Sequence, residues 1–308
     1  MDWLTEPFAV AFVARALWAG VLVSGACALA GTWVVLRGMA FLGDAMSHGM
    51  LPGVALASLL GGSLFLGAAA SAIAMALGVA AVTRWSRLSQ DTGIGLLFVG
   101  MLALGVIIVS YAQSFAVDLT GFLFGDVLAV RTGDLAVLAL SAGAAAIVAL
   151  LGHRAFVALA FDPRKARTLG LHPRLAHTAM LGLITLAIVA SFHVVGTLLV
   201  FGLLIAPPAA MALWARRIPV IMLGSAVLGS TATFAGLLAS WHLGTAAGAT
   251  IAAIAVALFF LSAVAARVRD LRPGTAARSQ SRAGPEPSPE TASPRSAPEP
   301  EQEHEFTR

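Results

Sequence analysis

Charge is scarce in this chain: Asp, Glu, Lys and Arg make up only 11% of its 308 residues. A soluble domain uses about 25% charged residues to cover its surface, so a water-soluble globule is excluded for the bulk of the chain. Lysine is nearly absent. Lys165 stands alone and is not part of a Gly-x-x-x-x-Gly-Lys-Ser/Thr loop, so the chain carries no P-loop of its own for ATP. Cys27 is the single cysteine, which excludes an intramolecular disulfide and any multi-cysteine metal site. No His-Glu-x-x-His run is present, so a membrane zinc protease has no support. The basic residues sit between apolar blocks rather than on one exposed face as in a nucleic-acid binder, and no nucleic-acid partner is expected. The first residues, Met1-Asp2-Trp3-Leu4-Thr5-Glu6, lack a basic region, so a cleavable signal peptide is not expected.

What fills the chain instead is apolar: 59% of its residues are hydrophobic. They fall in blocks near 12–36, 41–60, 64–83, 93–110, 134–151, 178–192, 195–214, 218–241 and 246–266. A helix needs about 20 such residues to cross a bilayer. The expected fold is therefore all-α, a polytopic transmembrane helical bundle of about eight or nine spans. Glycine and alanine recur through the blocks, as needed for close helix packing in lipid. Residues 1–272 read as one transmembrane domain. Residues 273–308, rich in Pro, Ser, Glu and Ala, read as a disordered tail.

Arg and Lys placement predicts orientation. Arg37, the pair Arg84 and Arg87, the cluster Arg154 to Arg174, the pair Arg216 and Arg217, and Arg267 to Arg272 fall on alternate sides of successive blocks. All can be cytoplasmic at once. That arrangement puts the C-terminus inside and, with nine spans, the N-terminus outside. Membrane lipid is the expected surrounding.

The most informative stretch is Gly43-Asp44-Ala45-Met46-Ser47-His48, followed by Leu51-Pro52-Gly53. Asp44 and His48 are four residues apart, so a helix places them on one face. Carboxylate and imidazole are ligand types for zinc and manganese. An ionisable pair at membrane depth is costly and points to function by default. On spacing alone, a structural Asp–His contact that fixes helix packing fits as well as a metal site. Met46 reads as packing, and Pro52 with Gly53 as a break or bend beside the pair.

At this stretch the chain resembles the ABC-3 family, the permeases of zinc and manganese ABC importers. The likeness rests on Val35-Leu-Arg37, the Gly-Asp-Ala-x-Ser-His run and Leu51-Pro-Gly-Val-Ala55. It continues in Leu123-Phe-Gly125-Asp126, in Phe161-Asp162-Pro163 with Ala166 and Gly170, in Val194-Val195-Gly196, and in Pro207-Pro-Ala-Ala210. These span residues from about 12 to 266. The resemblance implies that Asp44 and His48 are metal ligands of the translocation path. It implies a homodimer of the permease, two ABC ATPase subunits that bind ATP, and an extracytoplasmic metal-binding protein. It also implies that the segment 154–174 is the ATPase-coupling element, carried by Asp162, Pro163, Arg164, Ala166 and Gly170. The expected cargo is Zn2+ first and Mn2+ next, with no permanently bound cofactor and no enzymatic activity in this chain.

His193 and His242 sit at the mouths of expected spans and are candidate ligands at the entrance. An interfacial His is common, and that reading is the simpler one. His242 lies where the family often has an Asp-Leu-Pro-Ser-Gly-Pro-like turn, which this chain lacks. Asp118, Asp126 and Asp134 read as loop acids or helix caps, or as a field that attracts cations. Three rival functions remain: a permease for a metal chelate of siderophore or cobalamin type, a secondary transporter, and a membrane scaffold.

Overall fold

The computed structural model describes residues 2–85, 89–111, 125–161 and 172–271. Every regular element among them is helical. The bundle is the compact unit Met1–Val264; of the second unit, Ala265–Arg308, only the end of the last helix is described.

A short α1 (Asp2–Ala9) leads into α2 (Ala11–Leu36). Then come α3 (Ala40–Gly49), α4 (Leu51–Leu59), α5 (Leu64–Trp85) and α6 (Gln90–Tyr111). A 3-10 turn, Val127–Ala129, precedes α7 (Thr132–Phe161). The chain closes with α8 (Pro173–Val195), α9 (Thr197–Ala212), α10 (Ile218–Leu243) and α11 (Ala247–Asp270). Seven of these helices are long and apolar enough to cross a membrane. The other two expected spans take different forms. Block 195–214 is the 16-residue α9, about 24 Å long at 1.5 Å per residue and so shorter than a bilayer core. Block 41–60 is not one helix but the pair α3 and α4, broken at Met50. Pro52, which has no N–H and clashes with the carbonyl four residues back, explains the break.

Helix α2 is the axis of the bundle. It packs against α7, α8, α9 and α10, and Ala16, Ala19, Val23, Cys27, Ala30, Trp33 and Val34 are all fully buried. Small residues allow this closeness. A Cβ on Gly31 would overlap the Leu204 carbonyl oxygen of α9. That carbonyl has lost its helical donor, because Pro208 stands four residues on. Two local features, a glycine on one helix and a proline on the next, thus bring two backbones together. Gly53 of α4 and Gly67 of α5 form a second such contact, each leaving no room for a Cβ on the other.

The corner between α2 and α3 is tightly built. Gly38 is left-handed, with φ 65°. Met39 N–H donates to the Val34 carbonyl at 2.9 Å and Gly38 N–H to Val35 at 3.1 Å. This is the paired hydrogen bonding of a Schellman cap. Met39 and Val34, the two positions that flank such a cap, are both buried. The break between α8 and α9 is sharper. Gly196 has φ 76° and ψ 163°, a region that only glycine enters readily. Gly125 (φ 62°) lies against it, and a Cβ on Gly125 would overlap the Gly196 nitrogen. The Leu-Phe-Gly-Asp and Val-Val-Gly motifs, some 70 residues apart in sequence, meet at these two glycines.

Candidate functional site

Helix α3 carries the expected ligands and is held on several sides. It packs against α5, α6, α8 and α9. Its fully buried residues Leu42, Ala45 and Met46 face the core. Met46 is packing, as its sequence context indicated. Two close approaches fix the helix along its length. A Cβ on Gly43 would meet Leu204 and Phe201 of α9, and one on Gly49 would meet Met75 of α5. At its end the Ser71 hydroxyl donates to the Gly49 carbonyl at 2.7 Å. Ser47 turns inward and donates to its own helix at Gly43, 3.0 Å away.

This packing leaves one face of α3 open, and Asp44 and His48 occupy it. Their side chains are 38% and 28% exposed, and His48 Nε2 lies 3.6 Å from Asp44 Oδ1. That separation is too long for a hydrogen bond. It is close to the spacing of two donor atoms on one ion, about 3.4 Å for tetrahedral bonds near 2.1 Å. The imidazole is steadied from one side by the Phe98 ring of α6, edge-on with centroids 5.6 Å apart. Phe98 meets Phe41 in the same manner at 5.4 Å. The ring therefore has a backing wall and an open side.

Two candidate ligands are all that the described part of one chain brings together. Among the described residues no group of three or more His, Cys, Asp or Glu is positioned for a metal. An ion here would complete its shell with water, backbone oxygen or atoms of another chain. Three apolar grooves among the described residues lie elsewhere: between α5 and α8, between α2 and α10, and along α4 to α6. Neither Asp44 nor His48 lines any of them.

The other candidates fall out as follows. His242 lies in the last turn of α10 and is exposed; it does not join the Asp44–His48 pair. His193 lies in the last turn of α8, and its side chain is outside the described residues. Asp162, Pro163, Arg164, Ala166 and Gly170 also lie outside them, as does Asp118. The described flanks of that segment are helical. Helix α7 runs through Arg154 to Phe161, and α8 begins at Pro173. No glycine or proline interrupts 154–161, so the helix continues past the expected end of its apolar block. Asp126 and Asp134 act as caps: Asp126 Oδ1 accepts from Ala129 N–H at 3.2 Å, and Asp134 Oδ2 from Arg131 N–H at 2.9 Å. His153 packs edge-on against Trp33, with centroids 6.0 Å apart.

Two features of this region have no clear signal in the sequence. One is Phe98, a phenylalanine among many in an apolar helix. The other is the contact between Arg37 Nη1 and His177 Nδ1, 3.1 Å apart and 140 residues apart in sequence.

With this geometry in place, likeness to known proteins is informative. The sequence model of the ABC 3 transport family matches residues 9–266. The chain is 36% identical over 251 residues to the manganese transport system membrane protein MntC of Halalkalibacterium halodurans, covering 82% of this chain and 86% of that one. It is 32% identical over 261 residues to the chelated iron transport system membrane protein YfeD of Yersinia pestis, covering 85% and 87%. Among solved structures, PsaBC from Streptococcus pneumoniae in complex with Fab superposes with a TM-score of 0.73 at 31% identity, covering 85% of this chain and 94% of that one. Helical architecture, spans and sequence agree, and the protein is a multi-span membrane protein that belongs to the ABC 3 transport family.

Proposed function

We propose that this chain is the membrane permease of an ATP-driven importer and that its cargo is a divalent transition metal ion held in passing by Asp44 and His48. The observation that carries the reading is the 3.6 Å separation of Nε2 and Oδ1 on the open face of α3. One carboxylate and one imidazole make a weak, incomplete site, which suits release as well as capture. The names of the relatives favour manganese or iron. Zinc fits the same ligand types and is the third candidate.

In this reading two copies of the permease pair. An extracytoplasmic protein delivers the ion, and two ATPase subunits sit on the cytoplasmic side. The C-terminus is cytoplasmic, as the positions of arginine indicate. The chain has no P-loop, so ATP-driven work reaches it by contact, through the segment 154–174. Alternating access then exposes the ion first to one side and then to the other.

A second reading keeps the architecture and changes the cargo to a metal chelate. The chelated-iron name of the Yersinia relative favours it. Uptake by the reconstituted complex separates the two. Free Mn2+, Fe2+ and Zn2+ are supplied one at a time, and then each as a preformed chelate. Uptake of a free ion supports the ion reading. Uptake of iron only when chelated transfers the assignment to the second reading, and no ATP-dependent uptake of any form refutes both.

A further inference from the structure

Arg37 and His177 make a contact that the metal site does not need. Arg37 caps the C-terminus of α2, and His177 lies near the start of α8. A guanidinium only donates hydrogen bonds, so in the 3.1 Å contact Nη1–H donates and His177 Nδ1 accepts. That fixes the tautomer: the imidazole is neutral and its proton is on Nε2. Yet Nε2 is buried without a hydrogen-bond partner. The Trp33 indole N–H, one turn before Arg37 and on the same face of α2, is buried without one as well. Only one other buried side-chain polar atom among the described residues, the Ser191 hydroxyl, shares that condition. Two of three unsatisfied groups thus lie on the last turn of α2 or on its contact partner. Among the described residues the Arg37 contact is therefore the one side-chain hydrogen bond that orients the His177 ring.

The position of the contact says what a displacement of either partner would move. Arg37 is the first residue of the Schellman corner, which ties it through Gly38 and Met39 to α3. Because that corner is rigidly hydrogen-bonded, a displacement of Arg37 passes to the helix bearing Asp44 and His48. At the other end, His177 is the fifth residue of α8, six positions after the segment 162–171 in sequence. We propose that the Arg37–His177 hydrogen bond is a positioning contact, through which displacement of the start of α8 shifts the α2–α3 corner and with it the metal-site helix. This rests on the reading of the chain as an ABC metal permease.

The test uses the full complex in proteoliposomes, supplied with Mn2+ and ATP, with ion uptake and phosphate release measured on the same sample. Arg37→Met and His177→Leu are expected to raise the phosphate released per ion carried by at least about fivefold, the low end of coupling between sites. The double variant should go no further than either single one, as for residues acting as a unit. His177→Asn, which keeps an acceptor near the place of Nδ1, should return the ratio to within about twofold of wild type, as should Arg37→Lys, which keeps the charge and a donor. A ratio that stays constant while uptake and hydrolysis fall together would show a merely structural contact and overturn the proposal. If Arg37→Met does not assemble, His177→Leu against His177→Asn decides by the same ratio. If the wild type carries no ion at all, the transport reading is what fails. The contact is then judged by amide exchange over residues 37–48 when the ATPase is trapped with nucleotide. Exchange that changes in wild type and not in His177→Leu supports the link, and equal change in both overturns it.

Discussion

Replacing Asp44 by Asn keeps the volume of the side chain and removes its charge; replacing His48 by Ala removes the imidazole altogether. The structure separates the two consequences. The pair is 3.6 Å apart with side chains 38% and 28% exposed, so it is not a hydrogen bond. A half-exposed i, i+4 pair of this kind stabilises a helix by only about 0.3–0.5 kcal/mol. Helix α3 is held instead by contacts on its other faces, through Leu42, Ala45, Met46, Gly43 and Gly49. Neither substitution touches those. Both variants are therefore expected to assemble at wild-type levels, with thermal stability in detergent within a few degrees. Transport should respond very differently. Loss of groups that merely orient metal ligands costs about 10–100-fold in affinity, so loss of a direct ligand should lower uptake at limiting Mn2+ by at least about tenfold. Asp44→Asn and His48→Ala should have effects of similar size, because each leaves the ion with one protein ligand from this chain. The assay is initial-rate uptake across a range of metal concentrations, beside a melting curve of the same preparation. Near-wild-type uptake in both variants would refute the ligand assignment. So would a parallel loss of thermal stability and uptake, since it would make the pair a packing element.

Further expectations concern the backbone contacts. Gly31→Ala should lower the yield of folded protein and destabilise it by about 1–3 kcal/mol, because its methyl meets a backbone carbonyl that cannot swing aside. Gly25→Ala, on the same helix with nothing within 4 Å of the added methyl, should be neutral or slightly stabilising; melting curves of the two variants in detergent test the pair. Gly196→Ala should cost about 1–3 kcal/mol through its φ of 76° and ψ of 163°. A wild-type melting temperature for Gly196→Ala would show that the α8–α9 break relaxes without glycine.

Much of this architecture was legible in the residues themselves. A chain with so little charge and such long apolar blocks has few options, because lipid cannot satisfy a bare backbone and a helix satisfies its own. The sequence also placed Asp44 and His48 on one face, since four residues on a helix is nearly one turn. The structure selects the cap among the readings left open for Asp126 and Asp134: one just ahead of a 3-10 turn and the other in the first turn of α7, each accepts from a free N–H nearby. These are local rules, and they hold wherever the segment finds itself.

Other features depend on residues far apart in sequence meeting in space. The spacing of Asp44 and His48 could not separate a ligand pair from a hydrogen-bonded brace; the 3.6 Å separation and the open side do bear on that choice. The break at Met50 was anticipated from Pro52, but its effect was not: α3 stands as a separate short helix, gripped by α5 and α9. Gly31 looked like any glycine of an apolar helix until the Leu204 carbonyl, freed by Pro208, was found against it. Gly125 and Gly196 looked like parts of two unrelated motifs. Arg37 read as a topology signal, and its contact with His177 gives it a more specific place. In each case composition and periodicity determined the helices. Which helix touches which, and therefore which polar group is left facing what, was decided only when the bundle closed, because in lipid that choice rests on close packing of small residues and scarce hydrogen bonds rather than on hydrophobicity.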